Sequence, residues 1–194
     1  MKEKKLTHEQ IHKITLVGIL TALTAVLSLI QIPIMGVTVT LVLPVVVIGG
    51  ALAGPYVGAW LMVVPSIVYT FRDAQLFFAY SPFGCILTMI LKGLLAGFLA
   101  ALVYKALAKK HPIGAVFLSA VVAPVVNSGV FTLGAYIFFW DALIEMAETA
   151  GVSIAVLLLG LVIINFVIEV ILNLILCPTI LRIINIGKKE SNPA

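Results

Sequence analysis

Between residues 11 and 186 the chain is a series of long apolar runs, separated by short stretches carrying charges, glycine or proline. A bilayer-crossing helix needs about 20 apolar residues, and the pattern divides into six segments, at about 11–32, 40–53, 56–70, 83–106, 113–140 and 152–186. Pro33 and Gly36 stop the first, and Gly54-Pro55 breaks the helix and turns the chain after the second. The third contains Pro65, and the sixth is long enough to tilt or to emerge from the membrane. Residues 71–82 form the most polar stretch before the tail and read as a loop. The second and third segments are short and rich in glycine and proline. Interrupted helices at membrane depth are tolerated only where they are buried in protein or line a cavity. The pattern predicts an all-α membrane protein with six transmembrane helices, and a single integral-membrane domain over residues 1–194.

Composition closes off a water-soluble alternative. Of 194 residues, 62% are hydrophobic and 10% charged, with a mean hydropathy of +1.23. A soluble chain of this size leaves too much surface exposed to hide so much apolar area. Charge then sets orientation. With six spans, Lys2, Lys4, Lys5, Lys13, Lys105, Lys109, Lys110, Arg182, Lys188 and Lys189 share one side. The other side has only Arg72, together with Asp73, Asp141, Glu145 and Glu148. The basic side is cytoplasmic by the positive-inside rule, so both termini are expected inside. The net charge of +4 sits at helix ends and fits anionic lipid heads, not nucleic acid. The basic N-terminus leads into an apolar run with no small-residue cleavage site, which reads as a retained first span.

Polar residues inside the runs carry the functional information. A charge at the bilayer centre costs at least about 2.5 kcal/mol on insertion scales. Lys92, Asn127, Asn165, Glu169 and Asn173 must therefore meet protein, water or a solute. Lys92 lies about ten residues from the outer end of its helix, roughly 15 Å deep. It can pair with Glu169 or snorkel inward, or it can stand as a cation on the floor of a solute pocket. Asn165, Glu169 and Asn173 recur every four residues and share a helix face. That stripe either lines a cavity or holds helices together, and interhelical bonding suits Glu169 and Asn173 better. Asn127 follows Pro124, whose ring frees a backbone carbonyl, so the segment is a binding site or a packing kink. Gly18 and Ala22 lie four apart on the first helix, a surface that lets another helix approach closely. Tyr80, Tyr136 and Trp140 fall near outer ends, and Trp60 near the inner face, as interfacial anchors.

Catalytic chemistry finds no support. The phosphate-cradling Gly-x-x-x-x-Gly-Lys-Ser/Thr pattern, His-Glu-x-x-His, Gly-x-Ser-x-Gly and Cys-x-x-Cys are all missing. Cys85 and Cys177 read as small apolar packing residues. Neither a metal nor a cofactor is expected.

Four passages give the chain a family resemblance. They are Gly18-Ile-Leu-Thr-Ala22-Leu-Thr-Ala25; Val37-Thr-Val-Thr through Pro44, Gly49-Gly50 and Gly54-Pro55 to Gly58; Leu91-Lys92-Gly93-Leu-Leu-Ala-Gly97; and Asn127-Ser-Gly129 with Asn165-Phe-Val-Ile-Glu169. In these the chain resembles the S component of energy-coupling-factor (ECF) transporters, the vitamin-binding membrane subunit of bacterial importers. The resemblance implies a six-helix protein of the bacterial cell membrane that captures a vitamin from outside. Its implied partners are a transmembrane coupling protein and two ABC ATPases. Gly18, Ala22 and Ala25 would dock the coupling protein, with glycine in place of the more usual leading alanine, and residues 31–38 would form a lid. The Thr-Val-Thr-Leu and Asn-Ser-Gly passages look most similar to the pantothenate type. Arg72, Lys92, Asn127 and Asn165 are the expected solute-binding set, with the two cations suited to a carboxylate. The pocket is expected to lack the several aromatic rings that thiamine would need. A scaffold subunit of the MreD type shares this size and span count and is the competing reading. In a binder the four polar residues line one cavity; in a scaffold they scatter.

Overall fold

The computed structural model describes residues 8–30, 32–34, 37–39 and 41–191. The chain folds almost entirely as helices, all of the longer ones falling where the apolar runs predict them. They are α1 (His8–Leu29), α2 (Val42–Ala53), α3 (Pro55–Arg72), α4 (Gln75–Tyr80), α5 (Pro82–Leu107), α6 (Pro112–Phe138), α7 (Trp140–Ala150), α8 (Ile154–Leu158) and α9 (Asn165–Ser191). A π-helical stretch, Leu159–Ile164, joins α8 to α9 in one continuous rod.

Four helical stretches are long and apolar enough to cross a membrane: Gln10–Leu29, Pro82–Leu107, Pro112–Phe138 and Ile154–Gly187. With 12 residues, α2 is only about 18 Å long. It is an apolar helix buried from Val42 to Gly50. The 18 residues of α3 include Tyr56, Trp60, Pro65 and Arg72, which dilute its apolar character.

Punctuation follows the local chemistry. Gly54 sits between α2 and α3 at φ 103°, a region that only glycine enters cheaply. Ser81 caps α5 by accepting the Gly84 N–H at 3.2 Å, with Pro82 at the first helical position. Gly151, at φ 66°, ends α7 as a left-handed C-cap.

Two short helices were not expected, α4 in the stretch read as a loop and α7 at and beyond the end of the fifth apolar run. α4 lies within residues 71–82, and α7 follows α6, which ends at Phe138 before Trp140. α7 is amphipathic, burying Ala142, Leu143 and Ala147 while Asp141, Glu145 and Glu148 stay exposed. Between α1 and α2 the backbone forms an antiparallel hairpin, β1 (Ile32–Ile34) with β2 (Val37–Val39), Pro33 opposite Thr38. The expected lid falls on this hairpin, and its residues 31, 35 and 36 lie outside the described residues.

α5 is the centre of the bundle, packed against α6 on one side and α3 on the other. Small residues make that contact close: a methyl group at Gly58 would lie 2.6 Å from the Gly97 carbonyl oxygen. Among the described residues α1 packs mainly on α3 and α2, and much of its surface is exposed. Ile11, Ile14, Ile19, Leu23 and Val26 on its outer face are exposed, as befits a lipid-facing surface.

Candidate functional site

Inside the bundle, towards the end that holds α4 and α7, is a cavity of about 180 Å³. An apolar cavity of about 150 Å³ is enough to take up benzene, so a small organic solute is the right scale. The α3 wall is Met62, Ser66, Tyr69 and Asp73, whose spacing of four, three and four places them on one helical face. α5 contributes Met89 and Lys92, α6 contributes Asn127 and Phe131, and the rod contributes Asn165 and Glu169. Phe77 of α4 and Val42 and Leu43 of α2 complete the lining. Asp73, an exposed member, marks the end nearer the surface. Glu169 is 8% exposed.

The polar groups are ordered by their neighbours. The Lys92 ammonium lies 5.1 Å from the centre of the Phe131 ring, a cation–π arrangement. Glu169 exerts the strongest carboxylate field on Lys92, followed by Asp73. The side chains of Asn127 and Asn165 both approach the Glu169 carboxylate. Asn127 Oδ1, Asn165 Oδ1 and Glu169 Oε2 are buried with no hydrogen-bond partner among the described residues. On the α4 side, Phe77 stacks against Phe131 at 5.8 Å and Phe139 at 5.0 Å, continuing the aromatic wall.

The π-helical stretch bears on this register. Leu157, Leu161, Asn165, Glu169, Asn173 and Cys177 are spaced by four. In a regular α-helix each such step turns about 40° past a full circle, carrying the last residue about 200° from the first. Yet Leu157 and Leu161 pack on the core beneath α7, while Cys177 packs on the core between α2 and α6. The i→i+5 turns of Leu159–Ile164 wind more slowly and hold the stripe closer to one face.

Lys92, Asn127 and Asn165 thus meet in one cavity, and Arg72 does not join them. Arg72 is exposed, and its Nη1 donates to the Leu29 carbonyl at 2.7 Å, capping the end of α1. Apart from Glu169, the rest of the lining was not singled out as a binding set from sequence. Glu169, assigned to helix–helix bonding, lines the cavity instead. Asn173 does bond between helices, its Nδ2 donating to the Ala120 carbonyl of α6 at 3.2 Å. The expectation of a pocket poor in aromatic rings fails: Tyr69, Phe77 and Phe131 all line it. A four-three-four spacing on α3 is the signal that would have found Ser66, Tyr69 and Asp73. Phe77 lies on a helix the sequence reading took for a loop and gave no comparable sign.

Of the helix-docking residues, Gly18 and Ala22 are exposed, and no described residue lies within 4 Å of a methyl placed at Gly18. Ala25 is half-buried. Trp60 is tied to this helix, its Nε1 donating to Thr21 Oγ1 at 3.2 Å.

The fold and site define a multi-pass membrane protein with a cavity among its helices, lined by polar, apolar and aromatic side chains. The family model of the ECF transporter, substrate-specific component, matches residues 12–181, and the chain belongs to that family. It is therefore a substrate-specific subunit of an ECF transporter, not a member of an enzyme family, with a small-molecule substrate and ECF-module partners. No curated protein and no solved structure matches the chain.

Proposed function

We propose that this chain is the solute-capture subunit of a bacterial ECF importer and that it binds a vitamin, pantothenate first among candidates, in the cavity around Lys92. The observation that carries this is the convergence of Lys92, Asn127, Asn165 and Glu169, from three separate stretches long and apolar enough to cross a membrane, on one void. Groups so costly in hydrocarbon are accounted for together if they hold a solute. The Lys92 ammonium suits a carboxylate, and the amides of Asn127 and Asn165 suit hydroxyl or amide groups. Both chain ends face the cytoplasm in this reading, with six crossings. α2 and α3 are the two short ones, and the cavity opens outward beside Asp73. Power comes from the coupling protein and two ATPases of the module. Gly18, Ala22 and Ala25 form the docking face.

Tyr69, Phe77 and Phe131, with the carboxylates of Asp73 and Glu169, favour a second reading: a ring-bearing cation such as thiamine. Calorimetric titration of the purified chain with D-pantothenate and with thiamine decides between them. Saturable binding of pantothenate alone is expected. Binding of neither, with no small molecule found by mass spectrometry of the purified protein, would leave an MreD-like scaffold as the better account.

A further inference from the structure

Three acceptor oxygens come together on the wall formed by α6 and α9: Asn127 Oδ1, Asn165 Oδ1 and Glu169 Oε2. Each is buried and without a hydrogen-bond partner among the described residues, and all three residues line the cavity. Leaving a buried polar atom unsatisfied costs about 1–3 kcal/mol, more for a charged group. Three such costs at one wall are unusual, because buried polar groups in native proteins are nearly always paired.

The arrangement follows from the chemistry of the two amides. A primary amide offers N–H on one side and a carbonyl on the other. Both asparagines approach the Glu169 carboxylate, which is stabilised by N–H groups and repelled by oxygen, so their N–H sides belong towards it. Their carbonyl oxygens are then left unpaired, beside the second oxygen of Glu169. Lys92, the cation of the lining, is set against the Phe131 face. The cavity is therefore polarised, with a donor at Lys92 and acceptors along the α6–α9 wall.

We infer that Glu169, with Asn127 and Asn165, selects solutes that present N–H or O–H donors to the α6–α9 wall, so that Glu169 is a specificity-determining residue of the binding site. This rests on the proposed solute-capture function but not on which of its two solutes is correct. The hydroxyls of pantothenate and the aminopyrimidine of thiamine both supply such donors. Molecules of the same shape with those donors removed or exchanged for acceptors are excluded. A site built to hydrogen-bond a solute discriminates strongly against an analogue lacking the group, because its own buried partners are left unpaired.

The test uses the purified full-length chain in detergent with two matched pairs: D-pantothenate against its analogue with both hydroxyls replaced by hydrogen, and thiamine against oxythiamine, whose amino group is replaced by oxo. In the wild type, the donor-bearing member of the pair that binds should be favoured by about ten-fold or more. Glu169→Gln keeps the shape and turns one acceptor oxygen into an N–H donor, and it should narrow that preference to less than about three-fold. Asn165→Ala, at a half-buried position of the same wall, should also narrow it and gives the same readout with the Glu169 carboxylate still in place. A Lys92→Met variant serves as contrast, lowering affinity while leaving the preference between members of a pair in place. Equal binding of both members by the wild type, or a preference unchanged in both wall variants, overturns the inference while leaving solute capture intact. Failure of the wild type to bind either parent solute overturns the proposed function, and the inference falls with it.

Discussion

Pro124 has no N–H to give to the Ala120 carbonyl four residues back, and the side-chain amide of Asn173 supplies a donor at 3.2 Å. A buried proline in one helix is thus matched by a buried asparagine in another, and the pair fastens α6 to α9. Asn173→Leu should lower thermal stability in detergent by about 1–3 kcal/mol and leave solute affinity within about two-fold, as read by melting and titration of one preparation. Lys92 belongs to the opposite class of polar residue, because it faces the cavity. Lys92→Ala should reduce affinity for pantothenate by about ten-fold or more with the melting temperature held. Unchanged affinity would remove Lys92 from the binding site. Sequence depth alone marks Lys92, Asn127, Asn165, Glu169 and Asn173 as residues that need a partner. It could not sort Glu169 from Asn173, which lie four apart on one helix: helical spacing gives a shared face but not what that face meets.

Among the elements, α3, α5 and α6 set the dimensions of the site through close contacts. The Gly58–Gly97 approach brings α3 and α5 together, so that Ser66 and Tyr69 share one cavity lining with Lys92. Gly58→Val places a branched side chain where even a methyl lies 2.6 Å from the Gly97 carbonyl oxygen and 3.1 Å from Ala101 Cβ. It should therefore destabilise by about 1–3 kcal/mol and weaken solute binding with it, both measurable on the purified variant. The extents of α3, α5 and α6 were readable from apolar run length and from proline and glycine boundaries. α4 and α7 were not, since each is short: α7 is held by burying Ala142, Leu143 and Ala147, and α4 by half-burying Phe77 and Phe78 against the bundle. The π-helical stretch, Leu-Gly-Leu-Val-Ile-Ile, was not legible either, because an apolar run of this kind has the same hydrophobic pattern whether it winds as an α- or a π-helix.

For the molecule as a whole, the free surface of α1 is where a partner can come close. Gly18 and Ala22 are exposed, and no described residue lies within 4 Å of a methyl placed at Gly18. Gly18→Leu with Ala22→Leu should leave melting temperature and solute affinity unchanged while abolishing co-purification with the coupling protein. Persistent co-purification would move the docking face elsewhere. Ala25 is half-buried and suits this test less well, since bulk there also disturbs the chain's own packing. Membrane residence, helical class and family were determined by the sequence itself, because apolar run length is a one-dimensional property that a bilayer reads directly. Which polar side chains share a cavity was decided only by the tertiary structure. Arg72 was drawn off to cap α1, while Glu169 and three aromatic rings were brought in. That outcome depends on the rotation and approach of helices far apart along the chain, and these are fixed by small-residue contacts and a π turn that no local spacing encodes.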